Sequence, residues 1–101
     1  IFPDGAKSLT KELTIKAGKQ LSYQLHRHRS EVWTVVSGEG EVVLDGFVQQ
    51  VCAGSVVRIP PETLHAGRGT ASDLHVIEVQ QGDVLVEEDV ERFGDFWGAI
   101  R

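Results

Sequence analysis

The side chains in this sequence best suited to metal chemistry are three histidines and a glutamate. His26 and His28 are separated by one residue, Glu31 follows three residues later, and His65 lies far along the chain. In an extended segment alternate side chains point to the same side, so the spacing predicts that the first two rings face one way. Imidazole and carboxylate groups together suit one divalent transition metal ion, such as Zn, Mn, Fe, Co or Ni. Such a set would leave coordination positions open for a substrate.

Two further polar residues could take part in chemistry beside such an ion. Glu78 lies inside an apolar run, Val76-Ile77-Glu78-Val79, where strand alternation allows it to face either the interior or the outside of a sheet. In the interior, burial would raise its pKa or require a cationic partner, and it could serve as a proton-transfer base. Gln24 shares the face of His26 and could hydrogen-bond a substrate hydroxyl.

The elements that must position these residues are short strands separated by turn residues. A His-x-His pair also arises by chance on ordinary strands, so the prediction of a metal site depends on the strands and turns that surround the pair. Asp45-Gly46 between two β-prone runs predicts a two-residue hairpin, and Pro60-Pro61 ends another strand. Because no long helical periodicity occurs, the pattern predicts one all-β domain over residues 1–101, with a sandwich or small barrel. We expect the barrel to span about 9–86 and a C-terminal tail to follow at 87–101.

Composition narrows the classes of function and partner. The formal net charge of −5 argues against nucleic-acid binding, and no apolar run is long enough to cross a membrane. The single cysteine, Cys52, excludes an intrachain disulfide and fits a reducing, cytoplasmic compartment. Small barrels leave strand edges exposed, and the apolar residues within 1–9 could pack on a neighbour, so we expect a homodimer.

The chain resembles the cupin superfamily in two motifs. The first reads His26-Arg-His28-Arg-Ser-Glu31, six residues, then glycine. The second reads Gly54, five residues, proline, then His65, with Glu62 where the family usually has a turn glycine. The resemblance implies a cupin barrel, also called a double-stranded β-helix or jelly roll. It also implies metal ligation by the three histidines and the glutamate of these motifs.

A longer resemblance points to the C-terminal isomerase domain of bifunctional mannose-6-phosphate isomerase/mannose-1-phosphate guanylyltransferase. It covers most of residues 8–98, including the run Gln24-Leu-His-Arg-His-Arg-Ser-Glu-Val-Trp33 and the later Glu88-Asp89-Val-Glu-Arg92-Phe. The resemblance implies a metal-dependent aldose–ketose isomerase acting on mannose 6-phosphate, fructose 6-phosphate or a close analogue. Glu78 is then the candidate base, with Glu31 as the alternative if it does not bind the metal.

The phosphate of such a substrate needs a cation, and guanidinium groups bind phosphate in a bidentate manner. Arg29 matches an arginine of the family motif. The family also has an arginine directly after the histidine of the second motif, where this chain has Ala66, so Arg68 is a second candidate. Two other functions stay open: a non-catalytic sugar- or metal-binding module in polysaccharide biosynthesis, and a cupin dioxygenase.

Overall fold

The protein folds into β-strands and connecting loops over residues 7–98, the part of the chain described by a computed structural model. Every pairing between strands is antiparallel. No helix occurs in these residues, and hence none that could span a membrane. Within residues 7–98 the nine strands are β1 (Lys7–Ile15), β2 (Gln24–Leu25), β3 (Arg29–Ser37), β4 (Glu39–Leu44), β5 (Phe47–Cys52), β6 (Val56–Ile59), β7 (His65–Gly69), β8 (Leu74–Gly82) and β9 (Glu91–Arg92).

Two sheets divide the strands between them. The first has the order β1-β8-β3-β6 and the second the order β5-β4-β7-β2-β9. Strand β8 pairs with β1 on one side and with β3 on the other. In this register Glu78 stands opposite both Lys11 of β1 and Trp33 of β3. Because directly opposite residues project from the same face of a sheet, these three side chains point to one side.

The hydrophobic core combines residues of both sheets. Alternate residues of β8 are buried, as expected for strands with one face toward a core. Trp33 is the largest fully buried side chain. It fits because Gly67 of β7 has no side chain, and a Cβ there would lie only 3.0 Å from the indole ring. The core cluster consists of Ile15, Trp33, Val35, Val42, Val51, Val57, Ile59, Leu74 and Val76.

The predicted hairpin is confirmed. Asp45 and Gly46 connect β4 to β5, and both have positive φ angles, 45° and 86°. A two-residue turn with left-handed backbone at both positions matches the twist of the flanking strands, which is why the Asp-Gly pair favours it. This local signal also fixes the register of the hairpin, in which Leu44 pairs with Phe47.

The segment after residue 86, expected to be a tail, contributes a strand to the second sheet. Strand β9 pairs with β2, and the adjacent loop packs beside the histidine segment. Residues 1–6 and 99–101 lie outside the described part of the chain. The expected subunit contact by residues 1–9 therefore falls mostly on residues that are not described, although Leu9 is exposed on β1.

Candidate metal and substrate site

Three of the predicted ligands converge inside the fold. His26 follows β2, Glu31 lies in β3, and His65 begins β7, so both sheets contribute. Their exposed fractions are only 6%, 2% and 1%. One potential ligand atom of each lies within 4.8 Å of the other two. Burial of two imidazoles and a carboxylate at one point is costly for ordinary packing, so it marks a candidate functional site.

The hydrogen bonds of the two histidines orient their free nitrogens toward the carboxylate. Nδ1 of His26 lies 2.7 Å from the carbonyl oxygen of Asp89, and Nδ1 of His65 lies 2.9 Å from that of Thr63. A carbonyl only accepts, so these contacts assign the proton of each neutral ring to Nδ1. The Nε2 atoms then carry lone pairs, and they lie 3.3 Å and 3.7 Å from the Glu31 oxygens. Metal-binding histidines are commonly oriented by such backbone contacts.

The protonation state of His65 also suits metal binding. Burial lowers its pKa to about 4, and the hydrogen bond to the Thr63 carbonyl offsets only part of this effect. The ring is therefore neutral at physiological pH, which is the form that binds a metal. Together with Glu31 and His26, it gives a donor set that could hold one divalent ion.

The positively charged side chain of Arg29 contacts two of these potential metal ligands, Glu31 and His26. Its Nε donates to Glu31 Oε2 at 2.9 Å, and one terminal nitrogen lies 3.2 Å from Nε2 of His26. The side chain is almost fully buried. Arg29, expected from the resemblance to bind a substrate phosphate, therefore lies beside the ligands, but its charge is paired with Glu31.

His28 does not join the cluster, which corrects the expectation that it and His26 point the same way. The chain bends at residues 27–28, so the alternation that holds for extended backbone is interrupted. His26 is buried, whereas His28 is exposed and its ligand atoms lie outside the converging set. The structure thus supplies three of the four predicted ligands in one place.

Asp89 holds that bend. Its carboxylate oxygens accept hydrogen bonds from the backbone N–H groups of Arg27 and His28 at 2.8 Å and 2.9 Å. Partial burial works to raise the pKa of Asp89, but these two donors outweigh it and the net pKa is lowered. The carbonyl of the same residue receives the His26 ring, so one residue fixes both the backbone and the imidazole.

Glu78 faces the interior, one of the two placements that the sequence allowed. Its Oε1 accepts a hydrogen bond from the Trp33 indole at 3.0 Å, and its Oε2 accepts one from Gln80 at 2.7 Å. The same indole N–H lies 3.0 Å from Glu31 Oε1. Burial, followed by the negative charge of Glu31, raises the pKa of Glu78. A carboxyl group that holds its proton more tightly is a stronger base.

Of the two remaining predicted residues, Gln24 borders the site and Arg68 does not. Gln24 lines a cleft of about 290 Å³ together with His26 and Arg29. The side chains of Arg68 and His65 project from opposite faces of β7. There it forms an ion pair with Glu41 and lies over the Trp97 ring at 4.8 Å. The expectation that Arg68 binds substrate beside the histidines is therefore corrected.

Several residues that border this site were not predicted from the sequence. Asp89 lies in an acidic run, Glu87-Glu88-Asp89, whose composition alone is typical of a solvated turn. Lys11 and Arg92 also line the cleft, and no local pattern distinguishes Arg92 from a surface cation. For Lys11 a signal existed: it alternates with Leu13 and Ile15, which places it on the inward face of β1.

Comparisons with known proteins agree on a family. The family described as "Mannose-6-phosphate isomerase C-terminal" matches residues 3–95. The alginate biosynthesis protein AlgA of Pseudomonas putida is 41% identical over 95 residues, covering 93% of this chain and 20% of that protein. Mannose-1-phosphate guanylyltransferase of Escherichia coli is 36% identical over 97 residues, covering 95% of this chain and 20% of that protein. The chain thus spans about a fifth of the length of these curated relatives.

A solved structure supports the architecture. A Klebsiella pneumoniae protein of uncharacterised function, with a double-stranded β-helix domain, superposes with a TM-score of 0.74. The two sequences are 21% identical, and the match covers 84% of this chain and 73% of the other. This likeness concerns the fold alone, and it confirms the all-β cupin architecture expected from the sequence.

Proposed function

Because the chain belongs to the mannose-6-phosphate isomerase C-terminal family, we propose that it is a metal-dependent aldose–ketose isomerase. Its substrates would be mannose 6-phosphate and fructose 6-phosphate, or a close analogue. The observation that carries the proposal is the buried cluster of His26, Glu31 and His65, with a second buried carboxyl group, Glu78, one hydrogen-bond donor away.

The reaction transfers a proton between C2 and C1 of the sugar while the carbonyl moves the opposite way. It needs a base that reaches both carbons and positive charge near the two oxygens. A divalent ion supplies Lewis-acid polarisation of those oxygens when bound. His26, Glu31 and His65 would hold it, since one ligand atom of each lies within 4.8 Å of the other two and the rings are fixed by the carbonyls of Asp89 and Thr63.

Glu78 is the proposed base. In its ionised form it would take the proton from C2 of the aldose onto a carboxylate oxygen and then give a proton from that oxygen to C1, while the hydroxyl proton on O2 is transferred to O1. Hydrogen bonds from Trp33 and Gln80 hold the carboxylate in place, which limits the reorganisation needed during transfer. The raised pKa of Glu78 strengthens it as a base. Glu31 is the alternative base if the ion is held by other residues.

Gln24 would bind the substrate at the cleft, and Arg29 would hold Glu31 in place beside it. Gln24 can exchange hydrogen bonds with a sugar hydroxyl, because its amide both donates and accepts. Arg29 spans the space between the cleft and the cluster, and its ion pair with Glu31 fixes that carboxylate. Both residues thus border the side of the histidine cluster from which a sugar would enter.

The proposal is tested by restoring individual divalent metals to chelator-treated chain and assaying conversion of mannose 6-phosphate. We expect turnover with at least one metal and its loss on chelation. His65→Gln should abolish both stoichiometric metal and turnover, whereas His75→Gln, an exposed histidine of β8, should change neither. Glu78→Gln should retain metal but lose turnover, with Glu12→Gln of β1 as its exposed control.

Two outcomes would reject the isomerase. Metal-loaded chain that binds mannose 6-phosphate without turnover would favour the non-catalytic module considered from the sequence. Oxygen consumption with Fe(II) in place of isomerisation would favour the dioxygenase.

A further inference from the structure

The cleft beside the histidine cluster is rich in cations. Its volume is about 290 Å³, close to the lower end of roughly 300 Å³ for small-molecule pockets. Lys11, Arg29 and Arg92 line it together with a single acid, Glu87. Positive charge around an open cleft raises the local concentration of anionic ligands. We call this feature the cationic cleft.

The three cations are not equivalent. Arg29 is committed to Glu31 through a hydrogen bond of 2.9 Å. Lys11 and Arg92 form no ion pair with any residue between 7 and 98. Their charges are therefore available to a bound anion, whereas that of Arg29 is largely neutralised.

The backbone places these two cations on different walls of the cleft. Lys11 lies on β1 of the first sheet, opposite Glu78. Arg92 lies on β9 of the second sheet, opposite Gln24, whose own neighbour across the strand is His65. An anion held between the two sheets would therefore sit at the mouth of the barrel, with the histidine cluster and Glu78 farther inside.

We propose that Lys11 and Arg92 form the subsite for the phosphate group of a phosphate monoester, and that Arg29 positions Glu31 instead of binding the phosphate. This inference rests on the proposed isomerase, for which it defines the substrate as a sugar with a terminal phosphate. In a hexose 6-phosphate the phosphate is at the opposite end from C1 and C2. Binding it at the mouth directs those carbons toward Glu78 and the histidines.

The test is calorimetric titration of the metal-loaded chain with inorganic phosphate, mannose 6-phosphate and unphosphorylated mannose. Lys11→Gln and Arg92→Gln should each weaken binding of both phosphate ligands about tenfold or more, because each removes a charged hydrogen-bond donor. Lys19→Gln and Arg58→Gln, both exposed and outside the cationic cleft, are the matched controls and should change neither affinity. Affinity of the wild-type chain should fall with rising salt.

The outcomes separate this subsite from the isomerase itself. Weaker phosphate binding in the two cleft variants, with no turnover by any protein, would support the subsite and reject the isomerase. With turnover present, the cleft variants should raise KM for mannose 6-phosphate more than they lower kcat, since they contact a part of the substrate that does not react. Turnover with unchanged KM and unchanged phosphate affinity in both variants would overturn the subsite and leave the isomerase standing.

Discussion

Glu31 and Glu78 are two buried carboxyl groups on neighbouring strands that accept hydrogen bonds from one shared donor. Each has an oxygen 3.0 Å from the indole nitrogen of Trp33. Two carboxylates in a dry environment repel each other, and this repulsion is one reason why the pKa of Glu78 is raised. The pair therefore provides one group among the proposed metal donors and another that serves as the proposed base.

Removal of that shared donor should destabilise the fold and disturb the pair. We expect Trp33→Phe to lower the free energy of unfolding by about 1–3 kcal/mol for the lost hydrogen bonds, with a further loss from packing against Gly67. Urea denaturation of the single variants and of the Trp33→Phe/Glu78→Leu double variant isolates the bond, because leucine cannot accept a hydrogen bond from the indole. A coupling energy of about 1 kcal/mol is expected. Strict additivity of the two substitutions would show that the bond contributes nothing.

Asp89 should act on the metal site from the C-terminal segment. Asp89→Ala removes both acceptors of the Arg27 and His28 N–H groups, and we expect a loss of about 1–3 kcal/mol in stability. Metal affinity should weaken because the bend also positions His26. Glu88→Ala, an exposed neighbour, is the control. Unchanged metal affinity in Asp89→Ala, measured by competition with a chelator, would show that the bend does not depend on this carboxylate.

Glu62 occupies a backbone conformation that favours glycine. Its φ is 61°, and its side chain pairs with Arg27 at the surface. Glu62→Gly should raise the free energy of unfolding by about 0.5–1 kcal/mol, because the left-handed region penalises a Cβ. Glu62→Ala keeps that penalty and removes only an exposed ion pair, so thermal denaturation should show no gain. A glycine variant less stable than the alanine variant would contradict this reasoning.

Burial of neutral His65 should make the metal-free chain sensitive to acid. Its pKa is about 4 in the folded chain, against 6.5 for the unperturbed group. Between these values the unfolded chain binds more protons, so stability falls as the pH is lowered from about 6.5 toward 4. Above about pH 6.5 this histidine adds no pH dependence to the free energy of unfolding. Its protonation between about pH 6.5 and 4 lowers that free energy by about 3 kcal/mol in total. Urea titrations of chelator-treated chain should show a shallower acid dependence in His65→Gln. Equal slopes for the two proteins would contradict it.

Features encoded locally were predictable from the sequence. The Asp45-Gly46 turn and the alternation of β8 depend on neighbouring residues, and both are present in the structure. Strand β9 was not predictable, because two residues, Glu91 and Arg92, carry no period of their own. They become a strand only by pairing with β2.

The positions of the site residues could be predicted where the backbone is regular. The prediction was wrong where contacts with distant residues bend the chain. Glu31 and His65 lie on strands and converge as the motifs indicated. His28 turns away because Asp89, 61 residues later, accepts from its backbone N–H group. The placement of Arg68 was within reach, since an odd separation from His65 along one strand puts the two side chains on opposite faces.

One NMR measurement tests whether the chain transfers a proton on a hexose phosphate beside the proposed metal site. Metal-loaded chain is incubated with mannose 6-phosphate in deuterated water, and the proton signals at C1 and C2 are followed. We expect fructose 6-phosphate to form with deuterium at C1, because a proton held on a carboxyl group exchanges with solvent before C1 is protonated. Absence of fructose 6-phosphate with every metal tested, or product in which the original C2 hydrogen is fully retained at C1, would contradict it.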